Sequence, residues 1–162
     1  MGPRKSINVQ PETMYIFKLQ DLPSITRRNE IILMAEHILI ADDDEHIGFF
    51  VRFKLEKLGY QVTWELNGAT ALEKIRETLP DLVILDLMMP GLGGYEVLEQ
   101  LRGQEATRAI PVIMLSAMGQ ENDIVKAINS GADDYLVKPF RPAELQARVQ
   151  RLLQKHEVKQ TT

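Results

Sequence analysis

The sequence predicts an α/β fold, a doubly wound parallel sheet of five strands with helices on both faces. Two observations carry this. From His37 onward, short runs rich in Ile, Val and Leu alternate with longer segments whose apolar residues recur at helical spacing. Several of the short runs are apolar on successive residues, the pattern of strands buried on both faces. The predicted strands are Ile38 to Ala41, Gln61 to Glu65, Leu82 to Leu85, Val112 to Leu115 and Tyr135 to Val137. Phe49, Phe53, Leu55 and Leu58 give the first helix an apolar stripe, with Gly59 placed to cap its end. Ala71, Leu72, Ile75 and Leu79 do the same for the second, which Pro80 stops. Tyr95, Val97, Leu98 and Leu101 mark the third helix, and Ile124, Ala127 and Ile128 before Gly131 mark the fourth. Leu145, Val149, Leu152 and Leu153 mark the fifth. Right-handed crossovers fold such repeats into three layers, whose ligands sit outside the strand carboxyl ends at a switch in strand order.

Residues 36–155 are thus expected to form the folded domain, 1–35 an N-terminal arm and 156–162 a polar tail. The arm holds Pro11, Pro23 and mixed charge, with no sustained period beyond Ile31 to Met34. Two readings of it stay open: a poorly ordered or weakly packed segment, and an arm that docks on the domain or pairs with a second copy. An apolar fraction of 44% and a charged fraction of 26% are ordinary for a globular protein and suggest neither a disordered nor a fibrous chain. Without cysteine there is no disulfide framework and no thiolate nucleophile or metal ligand, while an oxygen-ligand metal site remains open. The longest apolar runs fall far short of the roughly 20 residues that span a bilayer. Arg4 and Lys5 precede no apolar run with a cleavage site, so a cytoplasmic location away from membranes is expected. A net charge of −4 argues against nucleic-acid binding by this domain, since that draws its affinity mainly from phosphate neutralisation.

The candidate chemistry lies at the strand ends. Asp42-Asp43-Asp44-Glu45 follows the first strand and Asp86 follows the third. Adjacent strands lie about 4.8 Å apart, so these carboxylates can converge, and their repulsion then demands a cation or a proton. Hard oxygen ligands with room for water suit Mg²⁺, and a phosphoryl-transfer site is the natural reading. Taken alone, Asp42 to Glu45 read more readily as acids at a helix N-terminus, favoured by the dipole. Asp86 is different, because an acid ending a Leu-Val-Ile-Leu strand must be paired or solvated in a cleft. Ser116-Ala117 after the fourth strand and Lys138-Pro139-Phe140 after the fifth place a hydroxyl and an ammonium at the same rim. Singly these are a turn residue and a solvated surface charge; beside five acids they form a constellation.

Four segments make that constellation specific: Ile38-Leu39-Ile40-Ala41-Asp42-Asp43-Asp44-Glu45, Pro80 to Pro90, Pro111 to Ala117, and Gly131-Ala132-Asp133-Asp134-Tyr135-Leu136-Val137-Lys138-Pro139-Phe140. With them, Glu36 to Lys155 closely resembles the receiver domain of response regulators in bacterial two-component systems. The resemblance implies a flavodoxin-like (βα)5 fold of strand order 2-1-3-4-5, an order that periodicity does not show. It implies that Asp86 is the phosphoacceptor, forming an acyl phosphate. Asp43, Asp86 and the backbone carbonyl of Met88 would ligate Mg²⁺, and Asp42 would hold it through a water. Lys138 and Ser116 would assist, Ser116 and Tyr135 would switch, and Lys138-Pro139 is a candidate cis bond. The chemistry agrees, since phosphoryl transfer needs an in-line oxygen nucleophile and positive charge more than proton transfer.

Such a chain is a phosphoacceptor assisting its own phosphorylation and dephosphorylation rather than an enzyme. Its expected partners are a histidine kinase or phosphotransfer protein and an unknown downstream protein. The face of the fourth helix, fifth strand and fifth helix would change on phosphorylation. Lys126, Asp133, Asp134, Arg148 and Arg151 put both signs of charge there, which suggests a weak homodimer. Met88 and Met118 flank the site with no means of orienting water, so slow self-dephosphorylation is expected. No output domain follows the fifth helix, and both a stand-alone regulator and an excised piece fit. Three rival readings fit the residues less well. A haloacid dehalogenase phosphatase wants Thr or Val where His46 stands and a cap segment; an FMN carrier would not place three acids against phosphate; a receiver-like module that is never phosphorylated would not need the full acidic set, Ser116 and Lys138.

Overall fold

The computed structural model describes residues 35–117, 125 and 129–160, all within a unit spanning Ala35–Thr162. In chain order the elements are β1 (His37–Ala41), α1 (Glu45–Lys57), β2 (Gln61–Glu65), α2 (Gly68–Thr78), β3 (Leu82–Asp86), α3 (Gly94–Gly103), β4 (Val112–Ser116), β5 (Asp134–Val137) and a C-terminal helix, α4 (Pro142–Gln160). This last helix is the fifth predicted one. The predicted fourth helix at Ile124, Ala127 and Ile128, together with Lys126, Met118 and residues 1–34, lies outside the described residues. The strands form one parallel sheet in the order β2-β1-β3-β4-β5. The predicted fold class and order both hold.

β1, β3 and β4 sit in the middle of the sheet, which is why their sequences are apolar on consecutive residues. Their side chains alternate between two cores. Leu39, Val83, Leu85 and Met114 point to the side covered by α2 and α3. Ile38, Ile40, Ile84, Ile113 and Leu115 point to the side covered by α1 and α4, where they meet Val51, Leu55, Leu145 and Val149. β2 is an edge strand with no fully buried residue, which explains its mixed Gln-Val-Thr-Trp-Glu sequence.

Two details of the predicted helix faces need correction. The buried line of α1 is Gly48, Val51 and Leu55, whereas Phe49, Phe53 and Leu58 are exposed, Phe49 by 65%. The two rings offset this by stacking on each other at 6.3 Å, and Lys57 lies 4.6 Å from the centre of the Phe53 ring. In α2, Ala71, Leu72 and Ile75 are buried as expected, but Leu79 is exposed and caps the helix in the left-handed region at φ 45°. Pro80 forces this end, because it disfavours the right-handed helical conformation for the residue before it. Gly59 has a φ of 95° just past α1, where a side chain would be strained, in keeping with its expected capping role. α4 continues to Gln160, past the boundary expected at Lys155, since His156 to Gln160 contains no glycine or proline to stop it.

One glycine decides how the site is framed. Gly94 opens α3 directly behind the end of β3, its N–H donating to Leu87 O at 3.1 Å, and a Cβ added there would collide with the backbone carbonyl oxygen of Asp86. Gly94→Ala is therefore expected to destabilise the chain by roughly 1–3 kcal/mol, the usual cost of overpacking, through displacement of backbone rather than of a flexible side chain. Urea unfolding at matched slope checks this; an unchanged midpoint would mean that α3 slides away at no cost.

Candidate functional site

The acids of the β1–α1 segment divide between two tasks. Asp44 is the N-cap of α1: its Oδ1 accepts from His46 N at 2.9 Å and Ile47 N at 3.2 Å. Glu45 lies in the first turn, where the helix dipole favours a negative charge. Asp42 and Asp43 turn instead toward β3. One carboxylate oxygen from each of Asp42, Asp43 and Asp86 lies within 4.8 Å of the other two. Asp42 is fully buried and Asp86, the last residue of β3, is only 6% exposed.

Lys138, just past β5, enters the same space from across the sheet. Its Nζ lies 2.7 Å from Asp42 Oδ2 and 3.3 Å from Asp86 Oδ1. The other Asp42 oxygen, Oδ1, accepts from Asp44 N at 2.9 Å. Three clustered carboxylates, with one ammonium paired to two of them, leave two negative charges uncompensated if all are ionised. The strain falls on Asp86. Burial pushes its carboxyl up from an ordinary 3.8 to about 6; Lys138 opposes this, while Asp42 and Asp43 add to it. An all-oxygen donor set with a deficit of two positive charges fits a hard divalent cation.

Ser116 ends β4 in register with Val137, 3% exposed, and its carbonyl accepts from Lys138 N at 2.7 Å. The Lys138-Pro139 bond is cis. Tyr135 is buried in the core on the α2 and α3 side. Met88, in the loop after β3, leaves its side chain 72% exposed. The structure thus brings Asp42, Asp43, Asp86 and Lys138 together, with Ser116 at the neighbouring strand end and Tyr135 further back in the sheet.

One residue of this region escaped sequence reasoning. Trp64 of β2 donates its indole N–H to the carbonyl of Asp42 at 3.0 Å. Nothing local signals that contact, because it depends on the register of β1 against β2.

The family description "Response regulator receiver domain" matches residues 38–150. The chain belongs to that family. The receiver is 42% identical over 122 residues to the phosphate regulon transcriptional regulatory protein PhoB of Rhizobium meliloti, a match covering 75% of this chain and 54% of that protein. It is 42% identical over 125 residues to the alkaline phosphatase synthesis transcriptional regulatory protein PhoP of Bacillus subtilis, covering 77% and 51%. The chain therefore spans about half the length of these relatives. Among solved structures, a response regulator of Chloroflexus aurantiacus aligns with a TM-score of 0.71 at 36% identity, covering 74% of this chain and 98% of that one. Receivers of this kind are phosphoacceptor signalling domains that interact with histidine kinases and bind Mg²⁺ at an acidic pocket.

Proposed function

We propose that this receiver takes a phosphoryl group on Asp86 from a histidine kinase or phosphotransfer protein, and so switches a downstream protein. The observation that carries the reading is the cluster of Asp42, Asp43 and Asp86, two of which, Asp42 and Asp86, pair with the Lys138 ammonium. Asp43, Asp86 and the Met88 carbonyl would hold Mg²⁺ directly. Asp42 would act through a water, in keeping with its two oxygens being engaged by Lys138 and Asp44 N. Bound Mg²⁺ supplies positive charge against the transferring oxygens. Asp86 attacks phosphorus in line as the bond to the donor's leaving atom breaks. Lys138 exchanges its pairing with Asp86 for the new phosphoryl oxygens, and Ser116 donates a hydrogen bond to one of them. That pull on the end of β4 is the proposed start of the switch, with Tyr135 as its aromatic member. With Met88 and Met118 standing two residues beyond Asp86 and Ser116 in the sequence, the phosphorylated state is expected to decay slowly. Among the described residues no helix is long and apolar enough to cross a membrane, and we place the domain in the cytoplasm, acting on protein rather than nucleic acid.

Incubation with acetyl phosphate and Mg²⁺ should add one phosphoryl group per chain by intact-protein mass spectrometry. No adduct under any Mg²⁺ concentration would end this reading.

A weak homodimer through the segment after β4, β5 and α4 belongs to the same proposal, with one revision. Asp134 already pairs within the chain with both Arg148 and Arg151 at 2.6 Å, and Asp133 pairs with Arg102 at 3.0 Å. Association must exchange these pairs rather than add to them, so charge alone brings little affinity. Sedimentation with a beryllofluoride mimic should show concentration-dependent dimerisation that Arg148→Glu abolishes. A parent that stays monomeric in both states would remove the dimer from the proposal.

A further inference from the structure

The loop carrying Asp42, Asp43 and Asp44 is held by a side chain of the neighbouring strand. β1 pairs with β2 up to Ala41 opposite Glu65, and beyond that pair Asp42 N donates to Glu65 O at 3.1 Å. The carbonyl of Asp42 is then taken not by backbone but by the Trp64 indole N–H, at 3.0 Å. That carbonyl belongs to the planar peptide joining Asp42 to Asp43. Holding it sets the direction in which Asp43 leaves the backbone.

The indole is itself fixed. It lies against Gly48 of α1, where an added Cβ would collide with the ring, and Gly48 N donates to Asp44 O at 2.8 Å. Trp64 therefore touches the strand, the acidic loop and the first turns of α1 together. Asp43 needs such support. It is exposed, and like charges on Asp42 and Asp86 repel it toward solvent. A carboxylate that must be drawn back and ordered when an ion arrives costs binding energy that a preorganised one does not.

We propose that Trp64 is a positioning residue for the Mg²⁺ site, its indole N–H fixing the Asp42–Asp43 peptide so that Asp43 stands ready beside Asp86. This rests on the reading that Asp42, Asp43 and Asp86 receive Mg²⁺. Trp64 neither touches the ion nor enters phosphoryl transfer. Its effect is on affinity.

Trp64 is the sole tryptophan, so biosynthetic replacement changes this position alone. Benzothienylalanine keeps the ring shape and exchanges the N–H for sulfur, whereas azatryptophan keeps the N–H. Calorimetric Mg²⁺ titration of the full chain should show roughly two- to tenfold weaker binding with benzothienylalanine, the range expected for one hydrogen bond, and parent-like binding with azatryptophan. Trp64→Phe should weaken Mg²⁺ binding likewise, and serves if the sulfur analogue does not fold. Thermal midpoints in EDTA separate the two roles, since a packing residue would lower the midpoint and leave the affinity of the folded chain unchanged. Equal Mg²⁺ affinity in the folded benzothienylalanine and parent chains would overturn the inference. A parent chain that binds no Mg²⁺ would overturn the metal reading itself, and this inference with it.

Discussion

Asp86→Asn is expected to abolish stoichiometric phosphoryl uptake and, in Mg²⁺-free buffer at neutral pH, to make the chain more stable by about 1–3 kcal/mol. The first effect follows if Asp86 supplies the nucleophilic oxygen, because an amide nitrogen or oxygen in its place forms no stable acyl phosphate. The second follows from the energetics of the pocket. Burial raises the Asp86 carboxyl from 3.8 to about 6, so at pH 7 the folded chain holds a charge that the unfolded chain holds at less cost. The sign is that of an acid with a raised folded pKa. The folded state binds the proton more tightly, so the contribution to stability falls as pH rises from about 4 through about 6, and the penalty is complete above that. The gain from asparagine should accordingly be largest at pH 7 and shrink as pH is lowered toward 4. Urea unfolding of both chains across that range, with mass spectrometry of the acetyl phosphate reaction, tests the two effects separately. Full labelling of the asparagine chain would move the phosphoacceptor elsewhere; a stability difference independent of pH would mean that Asp86 is not the strained acid.

Asp43→Ala and Asp44→Ala are expected to fail in opposite ways. Asp43 offers an oxygen within 4.8 Å of those of Asp42 and Asp86, so its removal should weaken Mg²⁺ binding by at least about tenfold, a loss that even outer-shell changes at metal sites can reach. It should cost little stability, or even raise it, by removing a like charge. Asp44 instead caps α1 through His46 N and Ile47 N, and its loss should cost about 1 kcal/mol of stability. Its charge is exposed and screened, so Mg²⁺ affinity should change by no more than about twofold. Trp64, bonded to the carbonyl between Asp42 and Asp43, is well placed to report binding by fluorescence. Equal loss of affinity in both chains would show that the assignment of the two neighbouring acids is wrong.

That pair of residues also marks where sequence reading ends. The sequence by itself determined the alternation of strands and helices, because each element's burial is written in its own periodicity. It also placed Asp86, Ser116 and Lys138 at or just past the ends of three strands, since position at a strand end is a local property. The strand order came from resemblance to a family. The division of Asp42 to Glu45 into two acids for the cluster and two for the helix start also came from that resemblance, and residue type by itself left it open until the three-dimensional geometry was seen. Both uses suit the same residue types, and direction alone tells them apart. The buried line of α1 was likewise settled by packing. Phe49 and Phe53 are more apolar than Gly48, yet a helix lying close to Trp64 needs the residue without a side chain at the contact. Arg148 has one local partner, Glu144 a turn away on its own helix, but the other partner of Arg148 and that of Arg151 were a tertiary matter, because long cationic side chains reach acids on whichever element packs beside them. Here that element is β5, and Asp134 takes both. Trp64 is the extreme case. Its role depends on the register of an edge strand against a loop that begins where the ladder ends, and only the assembled sheet sets that register.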